Sequence, residues 1–248
     1  PNDRLFMLTL DVFGFGTGQR LSLVSGLNEF LSALVMNKEL EGILSEKDLA
    51  RITICIEATI PFRGKNDKGQ SYADILEERL RVVNEKYDFF MKPGEMEDVI
   101  KRAVIFSNKD VGNFCEKDPA RFLDSTWKLL PEMNASLRSR ELYSIRDYRQ
   151  ALQKMEKFLG SLNLNNIFHR YKGVPVEKEF QQMVTYAHTN VSIALEYLEV
   201  KLLTISILEA LAEITGGDVP LSLFMGDLQK EGENVKSPED FLPIVEGS

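Results

Sequence analysis

Three carboxylates stand where an acid is costly. Asp11 lies at the end of the apolar run 5–12, Glu57 interrupts the apolar stretch 52–60, and Asp110 closes the run 103–110. A carboxylate at the edge of a buried helix needs a partner, because an unpaired buried charge is strongly unfavourable. The partner is a metal ion, an arginine such as Arg63, or a helix N-terminus. A metal there would lower the pKa of a bound water and support hydrolysis. An arginine would make the acid structural. Spacing alone does not choose between them.

Other residues with chemical potential are less suggestive. His169 and His188 are the only histidines. His169 falls on a loop and His188 on a helix, and neither has a ligand-type partner three or four residues away, so both read as structural. The glycines Gly14, Gly16 and Gly18 follow an apolar run, as a phosphate-cradling loop would. However, Gln19 stands where a dinucleotide fingerprint has its third glycine, and no Gly-Lys pair is present. They are expected to form a loop between helices. Cys55 and Cys115 sit among apolar neighbours and read as two buried thiols in a reducing, cytoplasmic setting. Trp127, Tyr171, Phe180 and Tyr186 read as core or interface.

The elements that must position these residues are helical throughout. Apolar residues recur at three and four over 27–40. Ser45 opens a capping-box pattern, Ser-Glu-Lys-Asp, for a helix that Pro61 ends. Ser71 caps the next helix, which stops near Pro93-Gly94, and a further helix is expected over 96–114. Asp118-Pro119 is an N-cap followed by Pro at the first helical position, for a helix that runs to Pro131. Ser144 opens another that Gly160 closes. The stretch 177–214 is one long helix or two joined ones, ended by Gly216-Gly217. The expectation is an all-α, multi-helix fold. Its core spans 1–115, a helical extension 116–228, and a loosely ordered polar tail 229–248. The only internal seam is the loop around 160–173.

Composition narrows the function classes. Of 248 residues, 44% are hydrophobic and 27% charged, which is globular rather than disordered usage. The net charge of −8 and the absence of a Lys/Arg cluster argue against a nucleic-acid partner, whose binding is driven by counterion release from phosphates. The richest apolar stretch, 193–211, is broken by Glu196, Glu199, Lys201 and Glu209, so no membrane span is expected. The chain begins at Pro1 rather than Met, which leaves room for upstream sequence, and no signal peptide is visible.

Residues 5–115 resemble the catalytic core of the HD superfamily of metal-dependent phosphohydrolases. Leu8-Thr9-Leu10-Asp11-Val12 looks like the His-Asp segment, Asn28-Glu29-Phe30-Leu31-Ser32-Ala33 like the next helix start, Glu57-Ala58-Thr59-Ile60 like a helix end, and Asn108-Lys109-Asp110-Val111 like the segment of the last metal-binding Asp. The resemblance implies a metal held by Asp11 and Asp110, with Glu29 and Glu57 as substitutes for missing ligands. It implies Arg63 and Asn108 at a small phosphate ester or nucleotide. With aspartates and no histidine, the ion would be Mg²⁺ or Mn²⁺. Leu10 stands where the motif has His. Two readings therefore stay open. One is a phosphohydrolase. The other is a non-catalytic helical sensor or homo-oligomerising module that lost the metal. A pocket for an apolar ligand among the C-terminal helices is a third.

Overall fold

The computed structural model describes residues 3–22, 25–138 and 143–217. The fold is all-α, with nine α-helices and no strand among the described residues beyond isolated bridges. The helices are α1 (Arg4–Phe13), α2 (Leu27–Glu39), α3 (Glu46–Ala58), α4 (Tyr72–Lys86), α5 (Pro93–Asp110), α6 (Pro119–Trp127), α7 (Leu130–Met133), α8 (Ile145–Ser161) and α9 (Glu177–Thr215). None of the described helices is long and apolar enough to cross a membrane. The expected tail, 229–248, lies outside the described residues.

Local chemistry sets the helix ends. Asp3 caps α1 by accepting the Phe6 amide, and Gly14 closes it in the left-handed region. Ser45 accepts the Asp48 amide at the start of α3, and Ser71 with Asp74 forms a full capping box on α4. Asp118 caps α6 and Pro119 takes its first turn. The expected helix 119–131 breaks at Trp127. Pro131 has no amide hydrogen to donate back one turn, so the chain restarts as the short α7. The expected helix 96–114 stops at Asp110 and tightens into a 3₁₀ turn, Gly112–Cys115. The stretch 177–214 is one continuous helix of 39 residues.

The chain divides into two compact units, Pro1–Lys117 with Leu162–His188, and Asp118–Ser161 with Thr189–Ser248. The expected core 1–115 falls in the first unit, and the expected extension is divided between the two.

In the first unit α3 packs against α1, α2, α4 and α5. Leu8, Val12 and Phe13 of α1, Leu49 and Ile54 of α3, Leu76 and Leu80 of α4, and Ile100 and Val104 of α5 are buried in one cluster. Phe13 and Phe15 join Phe6 and Phe30 in tilted and edge-on ring contacts. A buried polar knot ties three helices at this core. The Asn37 amide donates to the hydroxyls of Thr9, 2.9 Å, and Thr53, 3.0 Å. Thr9 donates onward to the Leu5 carbonyl, and the Thr53 hydroxyl shares its one hydrogen between the Leu49 carbonyl, 2.8 Å, and the Asn37 side-chain oxygen, 3.2 Å.

The second unit buries Phe122, Leu130, Ile145, Leu152, Met155 and Leu159 together with Val191, Ala194, Leu198, Ile205 and Ala212 of α9. Trp127 meets Tyr197 edge-on, and Arg149 and Arg146 of α8 hold Glu209 of α9.

Candidate functional site

Glu57 sits in the last turn of α3 and is only 1% exposed. A buried carboxylate must be countered, and two guanidiniums do so. Arg63, in the loop after α3, reaches back with Nη1 2.8 Å from Oε1 and Nη2 3.1 Å from Oε2. Its Nη2 also donates to the Glu57 carbonyl and its Nε to the Ile60 carbonyl. Arg79 of α4 donates to Oε1 at 2.9 Å. Gly14 makes room for this second guanidinium. A Cβ on Gly14 would lie 2.7 Å from the Arg79 Cζ and Nε.

The Arg63 guanidinium lies 4.6 Å above the Tyr72 ring, a cation–π contact. The Tyr72 hydroxyl meets the Ser107 hydroxyl at 2.7 Å. Burial pushes the Tyr72 phenol up to about 12, against a smaller opposing effect of that hydrogen bond. The same ring meets the His169 imidazole in a T-shaped contact, with centroids 4.4 Å apart.

Asn108 of α5 holds the His169 backbone from both sides. Its amide donates to the His169 carbonyl and its oxygen accepts the His169 amide, each at 2.8 Å. Burial, and then the nearby Arg63 charge, lower the His169 pKa to about 4. The imidazole is therefore neutral at pH 7 and offers one donor and one acceptor.

A cleft of about 280 Å³ opens beside this network, lined in part by Arg63, Lys65, Ser71, Asn166, His169 and Arg170. Glu177 also lines it and pairs with Arg170 at 3.0 Å. Among the lining residues three cations, Arg63, Lys65 and Arg170, stand against one carboxylate, Glu177, with Glu57 bound behind Arg63 and Asp74 behind Ser71. The lining itself is cationic in a chain of net charge −8. Its donors (guanidinium, ammonium and carboxamide) match the acceptor oxygens of a phosphate or carboxylate.

Of the residues singled out from sequence, Glu57, Arg63 and Asn108 belong to this network. Asp11, Asp110 and Glu29 do not enter it. Asp11 lies on α1, where its Oδ2 accepts from the Lys86 ammonium at 2.6 Å and the Tyr87 hydroxyl at 2.7 Å. Burial, and then the hydrogen bond to Asp11, raise the Tyr87 pKa. Asp110 is exposed at the C-terminal end of α5. Glu29, in the first turn of α2, has one buried carboxylate oxygen without a hydrogen-bond partner. No three His, Cys, Asp or Glu side chains among the described residues form a group able to hold a metal.

His169 is the functional candidate that sequence spacing misses, because its partners Tyr72 and Asn108 are distant in the chain. The run Asn165-Asn166 with His169-Arg170 is the one local signal that could have marked it. His188, the other histidine, is exposed, with Nε2 3.4 Å from the Asn165 side-chain oxygen. No family model, curated protein or solved structure matches the chain.

Proposed function

We propose that the protein is a helical module that binds a small phosphate-bearing ligand in the cleft beside Arg63 and His169. The observation that carries this reading is the lining of the cleft. Arg63, Lys65 and Arg170 stand there against Glu177 alone, beside the carboxamides of Asn165 and Asn166. In this reading Lys65 and Arg170 supply charge at the mouth. Asn166 donates to phosphate oxygens, Ser71 stays engaged with Asp74 in the cap of α4, and neutral His169 fixes the ligand's orientation. Arg63 keeps its hold on Glu57 and acts chiefly through its field. The cleft volume suits a small ester better than a polymer. The resemblance to HD phosphohydrolases points to the same ligand class. Cys55 and Cys115 are free thiols, in keeping with a cytoplasmic setting.

Binding is favoured over turnover by the engagement of the carboxylates. Asp11 is held by Lys86 and Tyr87, and Glu57 by two guanidiniums, so a metal would have to displace cations from both. Hydrolysis with Mg²⁺ or Mn²⁺ is the second reading. The unpartnered oxygen of Glu29 is the observation in its favour.

Calorimetric titration of the full chain with inorganic phosphate, a sugar phosphate and a nucleoside monophosphate tests the first reading. Each of Lys65→Ala and Arg170→Ala is expected to weaken binding roughly tenfold, the scale of one charge-assisted contact. Asp11→Ala is expected to leave it unchanged. Titrations without heat at millimolar phosphate would sink the reading, as would affinity indifferent to both cleft substitutions. Phosphate release that requires Mg²⁺ or Mn²⁺ and is lost in Asp110→Asn would establish the second reading instead.

A further inference from the structure

The second half of α9 is apolar on two opposite faces. Leu198, Ile205 and Ala212 are buried in the second unit, seven residues apart. On the other side Val200 is 63% exposed, Leu203 65%, Ile207 54% and Ile214 82%, with Ala210 also exposed between the last two. The positions 200, 203, 207, 210 and 214 alternate by three and four, a heptad seam with 200, 207 and 214 at a and 203 and 210 at d. The buried positions 198, 205 and 212 all fall at f, on the far side of the same helix. One face of the helix is therefore packed and the other is a continuous apolar stripe in water. Single exposed apolar residues are ordinary, whereas a heptad-spaced row of them is not.

The residue types select the occupant. Val200, Ile207 and Ile214 are β-branched at a, and Leu203 stands at d, the combination that sets the strand number at two in a parallel coil. Charge agrees. A parallel pairing sets g against e of the partner helix, Glu199 beside Thr204 and Ser206 beside Leu211, so no like charges meet. An antiparallel pairing would set g against g and bring Glu199 to Glu213. Each helix offers roughly 500 Å² of apolar surface, so two copies bury roughly 1,000 Å², the lower edge of specific interfaces. The seam is short for an isolated coiled coil. However, α9 is already formed and anchored by Arg146 and Arg149 on Glu209, so pairing does not bear the cost of ordering a helix.

We infer that the protein associates with a second copy of itself through a parallel α9 seam of Val200, Leu203, Ile207, Ala210 and Ile214. This goes beyond ligand binding and stands or falls separately from it. Sedimentation equilibrium of the full chain from roughly 1 to 100 µM is expected to show a monomer–dimer equilibrium with a micromolar constant. Ile207→Glu places one charge per copy into the seam and is expected to raise that constant roughly 100-fold. Its far-UV circular dichroism should match wild type, and so should its thermal midpoint at concentrations where both are monomeric, because Ile207 is exposed in the single chain. Val35→Glu, an exposed apolar residue of α2, should leave association unchanged. Ala210→Cys should oxidise to a covalent dimer, since d faces d in a parallel pair. A monomer at every concentration overturns the inference, and is the outcome expected if the chain's own residues beyond Gly217 cover the seam. A dimer indifferent to Ile207→Glu overturns it too. A dimer that Ile207→Glu disrupts but Ala210→Cys fails to lock overturns the parallel arrangement.

Discussion

Acidification should destabilise the fold through His169. In an unfolded chain the imidazole has a pKa near 6.5, and in the fold it is lowered to about 4. The unfolded state therefore takes up a proton first. The contribution of this neutral histidine to stability is full above about pH 6.5 and is lost progressively as pH falls towards about 4. Integrating over these two values, a drop from about pH 7 to about pH 5 removes about 2 kcal/mol of stability. Urea denaturation followed by far-UV circular dichroism at the two pH values measures the loss. His169→Gln is the control. It cannot titrate, while the clamp made by Asn108 is to the backbone of residue 169 and survives the change. Carboxylates shared by the two proteins cancel in the comparison. The variant is expected to lose about 2 kcal/mol less than wild type over the same interval. Equal losses in the two proteins would refute the reasoning, because they would mean that His169 is charged in the fold or hydrated there. A bound phosphate should reduce the wild-type loss, since an anion in the cleft favours the imidazolium.

Two further substitutions probe the charge network. Glu57→Ala removes the shared partner of Arg63 and Arg79 and is expected to cost about 3 kcal/mol in urea unfolding. Phosphate affinity measured by calorimetry should rise at the same time, because the cleft gains positive charge. Gly14→Ala puts a methyl against the Arg79 guanidinium at a left-handed position, with φ of 67°. It should lower stability by about 1–2 kcal/mol in the same denaturation assay, and adding Arg79→Met should recover the steric part of that loss.

The placement of Asp11 and Asp110 illustrates where sequence reasoning stopped. Both acids stand in apolar runs, but Asp110 lies exposed at the end of α5 and needs no partner, whereas for Asp11 the structure supplies one. That partner, Lys86, lies 75 residues along the chain. Nothing in the spacing around Asp11 distinguishes a lysine on α4 from a metal ion. Arg63, by contrast, is close in sequence to Glu57, and its role as partner was legible because a loop of six residues can bring it back one turn. The glycine at position 14 was readable as a loop residue, and its second role, making room for Arg79, depends on a helix that comes much later.

Helix capping and periodicity act over three or four residues, so the all-α character and most helix ends follow from the sequence by itself. Ser45, Ser71, Asp118-Pro119 and Gly216-Gly217 each act on backbone groups within one turn of themselves. The cleft follows from tertiary structure alone. His169 meets Asn108 across 61 residues, and its pKa is set by burial that no local pattern encodes. The apolar richness of 193–211 was likewise plain, with Val200, Leu203 and Ile207 in it. Only packing decided that the Leu198, Ile205 and Ala212 face turns inward and leaves the other in water. Periodicity specifies that a helix has an apolar face, and when it has two, the choice belongs to the rest of the chain.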